Sequence, residues 1–498
     1  MTIVILHSMK AVIIGSGIGG MASAIRMASM GFETHVFEQN SFYGGKINSK
    51  SLEGYRFDRG PSVFTEPHLV DELLALDDLS ENEFSYTKLP VSCCYFFEDG
   101  TRIALPTGTR AVAKSLADEL GEDQKNIEKL LKRIELNYKA VYAVFIQASL
   151  HKLKQWLNRN VINAIYRIPL YGLFSSMNSV NSKTFKNPKT TQIFNRFATY
   201  NGSDPYRSNG MFNIIAHLEL NVGPYMPKGG MVSISDAIYN KAIELGVHFH
   251  FNSRVDKILY SEGNVKGYSY AGKNHECDLI VSNMDVHFTY EKLLPSLKGP
   301  RKILNQEKSS SAIVFYWGIR KSFDQLEVHN IFFSKDYKDE FKSIFHEKTL
   351  SDDPTVYIHI SSKMEKEDAP EGCENWFVMV NAPIDTGQDW EVQKQNVRAN
   401  ILLKLEKLLH EDVAALIEVE EALDPVMMEQ MYSGKNGSIY GNASNTMLSS
   451  FYRHPNFAPS LKGLYFSGVT VHPGGGIPLA LNSAAIVQRC VKKDFSIR

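Results

Sequence analysis

The sequence predicts an α/β protein of two parts: a dinucleotide-binding domain assembled from separated pieces of chain, and a second domain of mixed sheet and helices. Three observations predict it. An apolar, β-branched run, Ala11–Ile14, passes directly into Gly15-Ser-Gly17-Ile18-Gly19-Gly20 and a helix-like segment from about Met21. A second glycine-rich passage, Gly468 to Gly476, lies near the other end, between a short strand and an apolar helix running through Cys490. With 498 residues, 43% of them apolar, the chain is long enough for more than one domain and a sizeable core.

Taken in order, the first element is a buried parallel strand. Gly15 and Gly17 then let the backbone turn and approach a pyrophosphate, and Gly20 permits close helix packing. The free N–H groups at that helix start receive phosphate charge, and Ile18 and Gly19 are counted among the cofactor-binding residues. Glu38 closes His35-Val-Phe-Glu38 eighteen positions after Gly20, where a Rossmann-like unit places the acid that holds a ribose. Tyr43-Gly44-Gly45-Lys46 and Gly60-Pro61-Ser62 follow, a pattern unusual for nicotinamide dehydrogenases. The glycine pair and the base offer N–H groups and a cation to a second phosphate or to the flavin side of a dinucleotide; an ordinary surface turn is the alternative.

A middle piece opens at Pro227-Lys-Gly-Gly, continues as a helical pattern through Leu245 and supplies strands at Val247–Phe251 and Arg254–Ile258, with Val255 counted among the cofactor residues. Leu279–Asn283 reads as a buried strand returning toward the cofactor. The helix after Gly476 and Ile477 places its N-terminus where negative charge on a reduced flavin would be stabilised. Residues 1–75, 225–290 and 445–498 are therefore assigned to the cofactor domain, and 76–224 and 291–444 to the other. Strand-like runs at Ser311–Ile319, Thr355–Ser361 and Trp376–Val380 give the second domain its sheet.

The opening fingerprint, the Gly-Gly-Lys and Phe57-Asp-Arg-Gly-Pro blocks, Tyr225-Met-Pro-Lys-Gly-Gly-Met231 and His472-Pro-Gly-Gly-Gly-Ile-Pro478 together resemble the FAD-dependent carotenoid desaturases of the phytoene desaturase superfamily, over the whole chain. Asn195–Gly202, Ser309–Gly318 and Asp368–Phe377 resemble most the branch that desaturates acyclic 1-hydroxycarotenoids at the 3,4 bond. Two positions depart from the pattern: Lys46 stands where many relatives carry arginine, and Gly475 where many carry alanine. Lysine keeps the charge but loses the planar fork, so a bidentate contact does not carry over to position 46.

A formal charge of −1 argues against a general nucleic-acid surface. Five cysteines with no Cys-x-x-Cys spacing indicate neither a disulfide framework nor a zinc site, and imply a reducing, cytoplasmic setting. The Cys93-Cys94 pair is either redox-active or part of a buried strand. No run reaches the roughly 18 apolar residues of a membrane span. The apolar N-terminal run lacks a charged flank and reads as the first nucleotide-binding strand, with residues 1–8 an extension. From Leu136 to Ser203 there is no acidic residue, while lysines, arginines and aromatics, among them Lys152, Lys154, Trp156 and Tyr171, recur. This segment is either a peripheral membrane-binding surface or a pair of core helices with a solvated basic face.

Dehydrogenating a C–C unit beside a polyene needs a hydride acceptor, which a flavin is and no side chain is. Positioning would then dominate, and no Cys/His or Ser/His/Asp signature is present. Candidate polar groups are His472, by its place in the resemblance, and Glu219 with His217, which equally fit a plain polar face. With one dinucleotide fingerprint, a quinone or dioxygen is the expected final electron acceptor. The competing readings are a phytoene desaturase, a carotenoid isomerase, an amine or porphyrinogen oxidase, and a non-catalytic prenyl-lipid-binding protein of the Rab GDP-dissociation-inhibitor type.

Overall fold

The computed structural model describes residues 9–76, 84–147, 161, 171–446, 449 and 452–497. Its first sheet has five strands, in the order Leu464–Phe466, Leu279–Ser282, Lys10–Ile14, Glu33–Phe37, His248–His250, and every pairing is parallel. Such a sheet must be covered on both sides, and the side-chain alternation shows how. Ala11, Ile13, Val36, Leu279 and Val281 face three helices, Ile18–Ala28, Val232–Glu244 and Ile477–Asp494. Val12, Ile14, Phe37, Ile280 and Phe466 face the other way, onto the antiparallel sheet of Val255–Ser261, Asn264–Tyr270 and Lys273–Glu276. The strands come from residues 10–37, 248–282 and 464–466, and their carboxyl ends open at one edge.

The second sheet has seven strands: Ile417–Leu423, Ser311–Ile319, Glu374–Ala382, Val356–Ile360, His329–Phe332, Val91–Phe96 and Arg102–Pro106. All pairs are antiparallel except His329–Phe332 with Val91–Phe96. Ser311–Ile319 is buried along its whole length. Ile313, Phe315, Trp317 and Ile319 pack on the long helix Trp390–Leu409, which covers one face. On the opposite face Val314 pairs with Met379 and Tyr316 with Phe377, and this face looks toward the cofactor sheet. Tyr55 and Phe57 of the hairpin Ser49–Leu52/Tyr55–Asp58 join the same core.

Helices between residues 109 and 222 close the remaining side, ending in the π-helical turns Tyr142–Ile146 and His217–Val222. Helix Ile18–Ala28 starts three residues before Met21, because Gly17 serves as its cap through backbone alone. Cys93 and Cys94 lie in the buried strand Val91–Phe96, and burial pushes the Cys94 thiol up to about 11 and Cys93 well above its usual value. Among the described residues no helix is long and apolar enough to cross a membrane. Lys152, Lys154, Trp156 and the neighbouring residues of the basic segment lie outside the described residues; Lys183, Lys186 and Lys189 belong to short helices or their connection, and Tyr171 is buried.

Trp376 is fully buried at the middle of the larger sheet, donates from Nε1 to Glu374 Oε2 at 2.7 Å and packs on Phe323. Trp376→Ala is expected to cost about 3–5 kcal/mol, read as a lowered midpoint of thermal unfolding with the secondary structure at low temperature unchanged.

Candidate active site

The strand ends converge on the glycine loop. Gly15, at φ +97°, turns the chain where only glycine is unstrained, and its N–H donates to Phe37 O at 2.8 Å. A Cβ on Gly20 would stand 2.1 Å from Gly15 O, and one on Gly19 would stand 2.9 Å from the Gly468 backbone. The first helix is thus pressed against the C-terminal glycine loop. Asn283 is wedged into this junction: its N–H donates to Ile14 O, its Nδ2 to Ser467 O at 3.0 Å, and its Oδ1 would lie 2.7 Å from a Cβ on Gly17.

Glu38 is buried at the end of the second strand. Its Oε2 accepts from the Ser16 N–H at 2.8 Å and from Ser16 Oγ at 2.9 Å, and its Oε1 from the Asn40 N–H at 2.9 Å. The carboxylate is fixed in place before any ligand arrives. The Gly44-Gly45 turn runs beside the glycine loop, with the Gly44 N–H on Ser16 O and Gly45 within reach of Gly17. Lys46 reaches across to donate to Ile439 O at 2.6 Å, and desolvation lowers its pKa to about 8, with Asp285 partly opposing this. Gly60 packs on the Lys46 carbonyl, where a Cβ would stand 2.0 Å away, and Ser62 Oγ shares a hydrogen bond with Tyr357 Oη at 2.7 Å.

The helix Ile477–Asp494 begins at Gly476 with no side-chain cap and no acid in its first turn, leaving N–H groups for an anionic ligand. Gly15, Gly17, Ile18, Gly19, Glu38, Gly45, Lys46, Gly60, Pro61, Ser62, Val255, Gly468, Gly476 and Ile477 all line one continuous cavity of about 520 Å³; Gly20 lies behind it, packing the helix. From this end the cavity runs on between the inner face of the large sheet, with Val314, Phe377 and Met379, and a helical wall carrying Phe145, Met211 and Ile215. Gly475 also lines it. A Cβ there would stand 2.3 Å from Tyr440, so the ring beside this glycine accounts for the absence of alanine.

Neither candidate catalytic residue reaches the cavity wall. His472 is buried below its loop, with its ring edge-to-face on Phe145 and its N–H on His454 O. Glu219 is buried and engaged: Arg196 Nη2 donates to its Oε1 at 2.5 Å, Tyr95 Oη donates to the same oxygen at 3.2 Å, and Tyr200 Oη donates to Oε2. It holds Arg196 and Tyr200, which do line the cavity. Sequence reasoning missed Asn283, Arg196 and Glu66. Glu66 is a buried wall carboxyl accepting from Tyr138 Oη at 2.5 Å, with its backbone at φ +52° and its pKa raised by burial. No pattern of apolar periodicity marks such positions.

Parallel strand ends, a glycine cradle, a fixed acid and an uncapped helix N-terminus opening on one apolar cavity define a flavin-dependent oxidoreductase. The chain belongs to the flavin-containing amine oxidoreductase family, which it matches over residues 18–491. It is 46% identical over 477 residues to a 1-hydroxycarotenoid 3,4-desaturase of a Flavobacterium species, covering 96% of this chain and 98% of that one. It is 29% identical over 498 residues to a 4,4'-diapolycopene oxygenase of a Methylomonas species, covering 98% of each. In fold it is similar to cyclohexylamine oxidase of Brevibacterium oxydans (TM-score 0.64, 15% identity, 98% and 100% coverage) and to an oxidoreductase of Methanosarcina mazei (TM-score 0.63, 16% identity, 97% and 100%).

FAD fits the residues present. Glu38 would hold its ribose, Gly15, Gly17 and the first helix its pyrophosphate, Gly45 and Lys46 a second phosphate or the flavin side, and Gly60 and the last helix its ring system. Gly17→Val and Glu38→Ala are expected to purify with little or no bound flavin, measured by the absorbance of the released cofactor. Lys46 gives a pH signature. Its folded pKa is depressed, so without cofactor it loses its charge above about pH 8, and phosphate charge nearby would restore the proton. FAD affinity should therefore fall as pH rises past 8, by up to about tenfold per unit. Lys46→Arg should bind FAD with little pH dependence, and Lys46→Met weakly at every pH, as titration of the apoprotein would record.

Proposed function

We propose that the protein desaturates an acyclic carotenoid, oxidising the 3,4 bond of a 1-hydroxycarotenoid. The observation that carries this reading is the cavity itself. It leads from the cofactor cradle along a wall of Val314, Phe377, Met379 and Met428 facing Phe145 and Ile215, a shape and chemistry suited to a long polyene and not to a polar amine. The relative at 46% identity bears the name of this activity. When bound, the flavin supplies the hydride acceptor that no side chain can provide. The protein's part is to exclude water, align the reacting bond and receive a proton, and Glu66, whose ionised carboxylate burial makes a stronger base than usual, is the wall group suited to the last of these.

In this reading Glu219 acts through Arg196, and His472 shapes the C-terminal glycine loop. Residues 1–75, 225–290 and 445–498 form the cofactor domain, and 76–224 and 291–444 form the substrate and membrane-associating domain. The protein works at the cytoplasmic face of a membrane as a peripheral protein, since its substrate is insoluble in water, and passes electrons on to a quinone or dioxygen.

The test is product analysis. Purified holoprotein is given 1-hydroxy acyclic carotenoid or, in a parallel reaction, phytoene, in liposomes with a quinone or air. A product two hydrogens lighter, with absorption shifted to longer wavelength by one added conjugated double bond at the 3,4 position, is expected. New double bonds in the middle of phytoene would make it a phytoene desaturase, an unchanged mass with altered geometry an isomerase, and added oxygen a terminal oxygenase.

A further inference from the structure

Tyr440 stands beside the C-terminal glycine loop and lines the cavity. Its backbone is pinned, since its N–H donates to Ser309 Oγ at 3.0 Å and its carbonyl accepts from Arg453 Nη1 at 3.2 Å. The base of its ring fills the gap between two glycines: a Cβ on Gly475 would stand 2.3 Å from Cδ1, and one on Gly202 would stand 3.1 Å from Cδ2. The carbonyl of the preceding residue, Ile439, accepts from Lys46 Nζ at 2.6 Å. Tyr440 is thus held between two parts of the cofactor cradle, and the two glycines fix the direction of its ring. Gly202 and Ser309 belong to two of the three stretches in which the sequence resembles the 3,4-desaturating branch, so those stretches converge on this side chain.

With its base wedged between glycines, the ring meets the cavity at its far end. Tyr440 keeps accessible surface although burial lifts its phenol to about 12, with no charge or hydrogen bond of the described residues contributing. Its hydroxyl is without a partner among the described residues, and it is not cut off from the cavity as the unpartnered hydroxyls of Tyr337 and Tyr432 are. At neutral pH this is an uncharged phenol, able to donate one hydrogen bond and accept another. Water satisfies such a group in an open cavity. A polyene that displaces the water with a hydrocarbon end leaves the phenol unpaired, whereas an end carrying its own hydroxyl replaces the lost bond. The position agrees with this. A hydroxyl on C1 is only a few bonds from the C3–C4 bond, so its receptor has to stand at the cofactor end of the cavity, where direct contact with Gly475 puts Tyr440.

We propose that the Tyr440 hydroxyl binds the hydroxyl-bearing end of the polyene and selects for it, and that Gly475 serves this task by leaving room for the ring. This rests on the reading of the function given above and names the residues that set its specificity. One such hydrogen bond, made with the right substrate and left unpaired with the wrong one, corresponds to about ten- to a hundredfold in kcat/KM.

The experiment compares holoprotein with Tyr440→Phe, Gly475→Ala and the double variant, each first checked for FAD content and thermal stability. Hydroxylated and non-hydroxylated acyclic carotenoids compete in one liposome assay, and the ratio of their kcat/KM values is read. In parallel, with the flavin held reduced so that nothing turns over, binding of each carotenoid is titrated by quenching of the protein's fluorescence. The native protein should favour the hydroxylated carotenoid by about tenfold or more in both readouts. Tyr440→Phe, which removes one oxygen and keeps the ring, should lose most of that preference. Gly475→Ala, which displaces the ring, should lose a comparable part, and the double variant no more than Tyr440→Phe alone. A native ratio near one, an unchanged ratio in FAD-loaded Tyr440→Phe, or equal losses on both carotenoids would overturn the assignment while leaving the desaturase reading intact; additive losses in the double variant would overturn the part given to Gly475. No 3,4 oxidation of the hydroxylated carotenoid by the native protein would overturn the desaturase reading instead.

Discussion

The contact of Gly19 with Gly468, bridged by Asn283, is the constraint on which the architecture depends. Three pieces of chain, from the beginning, middle and end of the sequence, meet there, and neither glycine has room for a side chain. Asn283 satisfies the Ser467 carbonyl and is itself paired through its backbone with Ile14. Because this junction holds the first helix and the last glycine loop in register, both helix N-termini open on the same cavity. The large sheet is then positioned by what it must cover, with its inner face as the far wall of that cavity.

Much of this was legible in sequence, for physical reasons. The glycine loop requires a positive φ at Gly15 and close approach at Gly20, and only glycine meets those demands, so residue type and spacing carry the signal. Ser311–Ile319 was readable to the residue because a strand buried on both faces is continuously apolar and β-branched or aromatic. Helix ends were read less well: Ile18–Ala28 starts earlier than its apolar pattern, since a backbone cap leaves no mark beyond the glycine itself.

The remainder depends on contacts far apart in the chain. Arg196 counts among the basic residues of a region without acids, and that pattern reads as surface; in the fold it is buried, paired with Glu219 twenty-three residues away and with Tyr95 a hundred and one away. Glu66 takes a left-handed backbone conformation that no local rule assigns to glutamate. Glu219 was singled out in the sequence as a polar candidate, and its engagement by Arg196, Tyr95 and Tyr200 is a set of contacts that no local pattern announces.

The cysteines have a bearing on how long such a protein lasts. Four of the five are buried, and burial raises the thiols of Cys93 and Cys94, and that of Cys277 to about 12. The thiolate is the form that oxidants attack, and these sites hold almost none of it at neutral pH. By keeping these sulfur atoms protonated and out of contact with solvent, the fold gives the protein chemical endurance against oxidants.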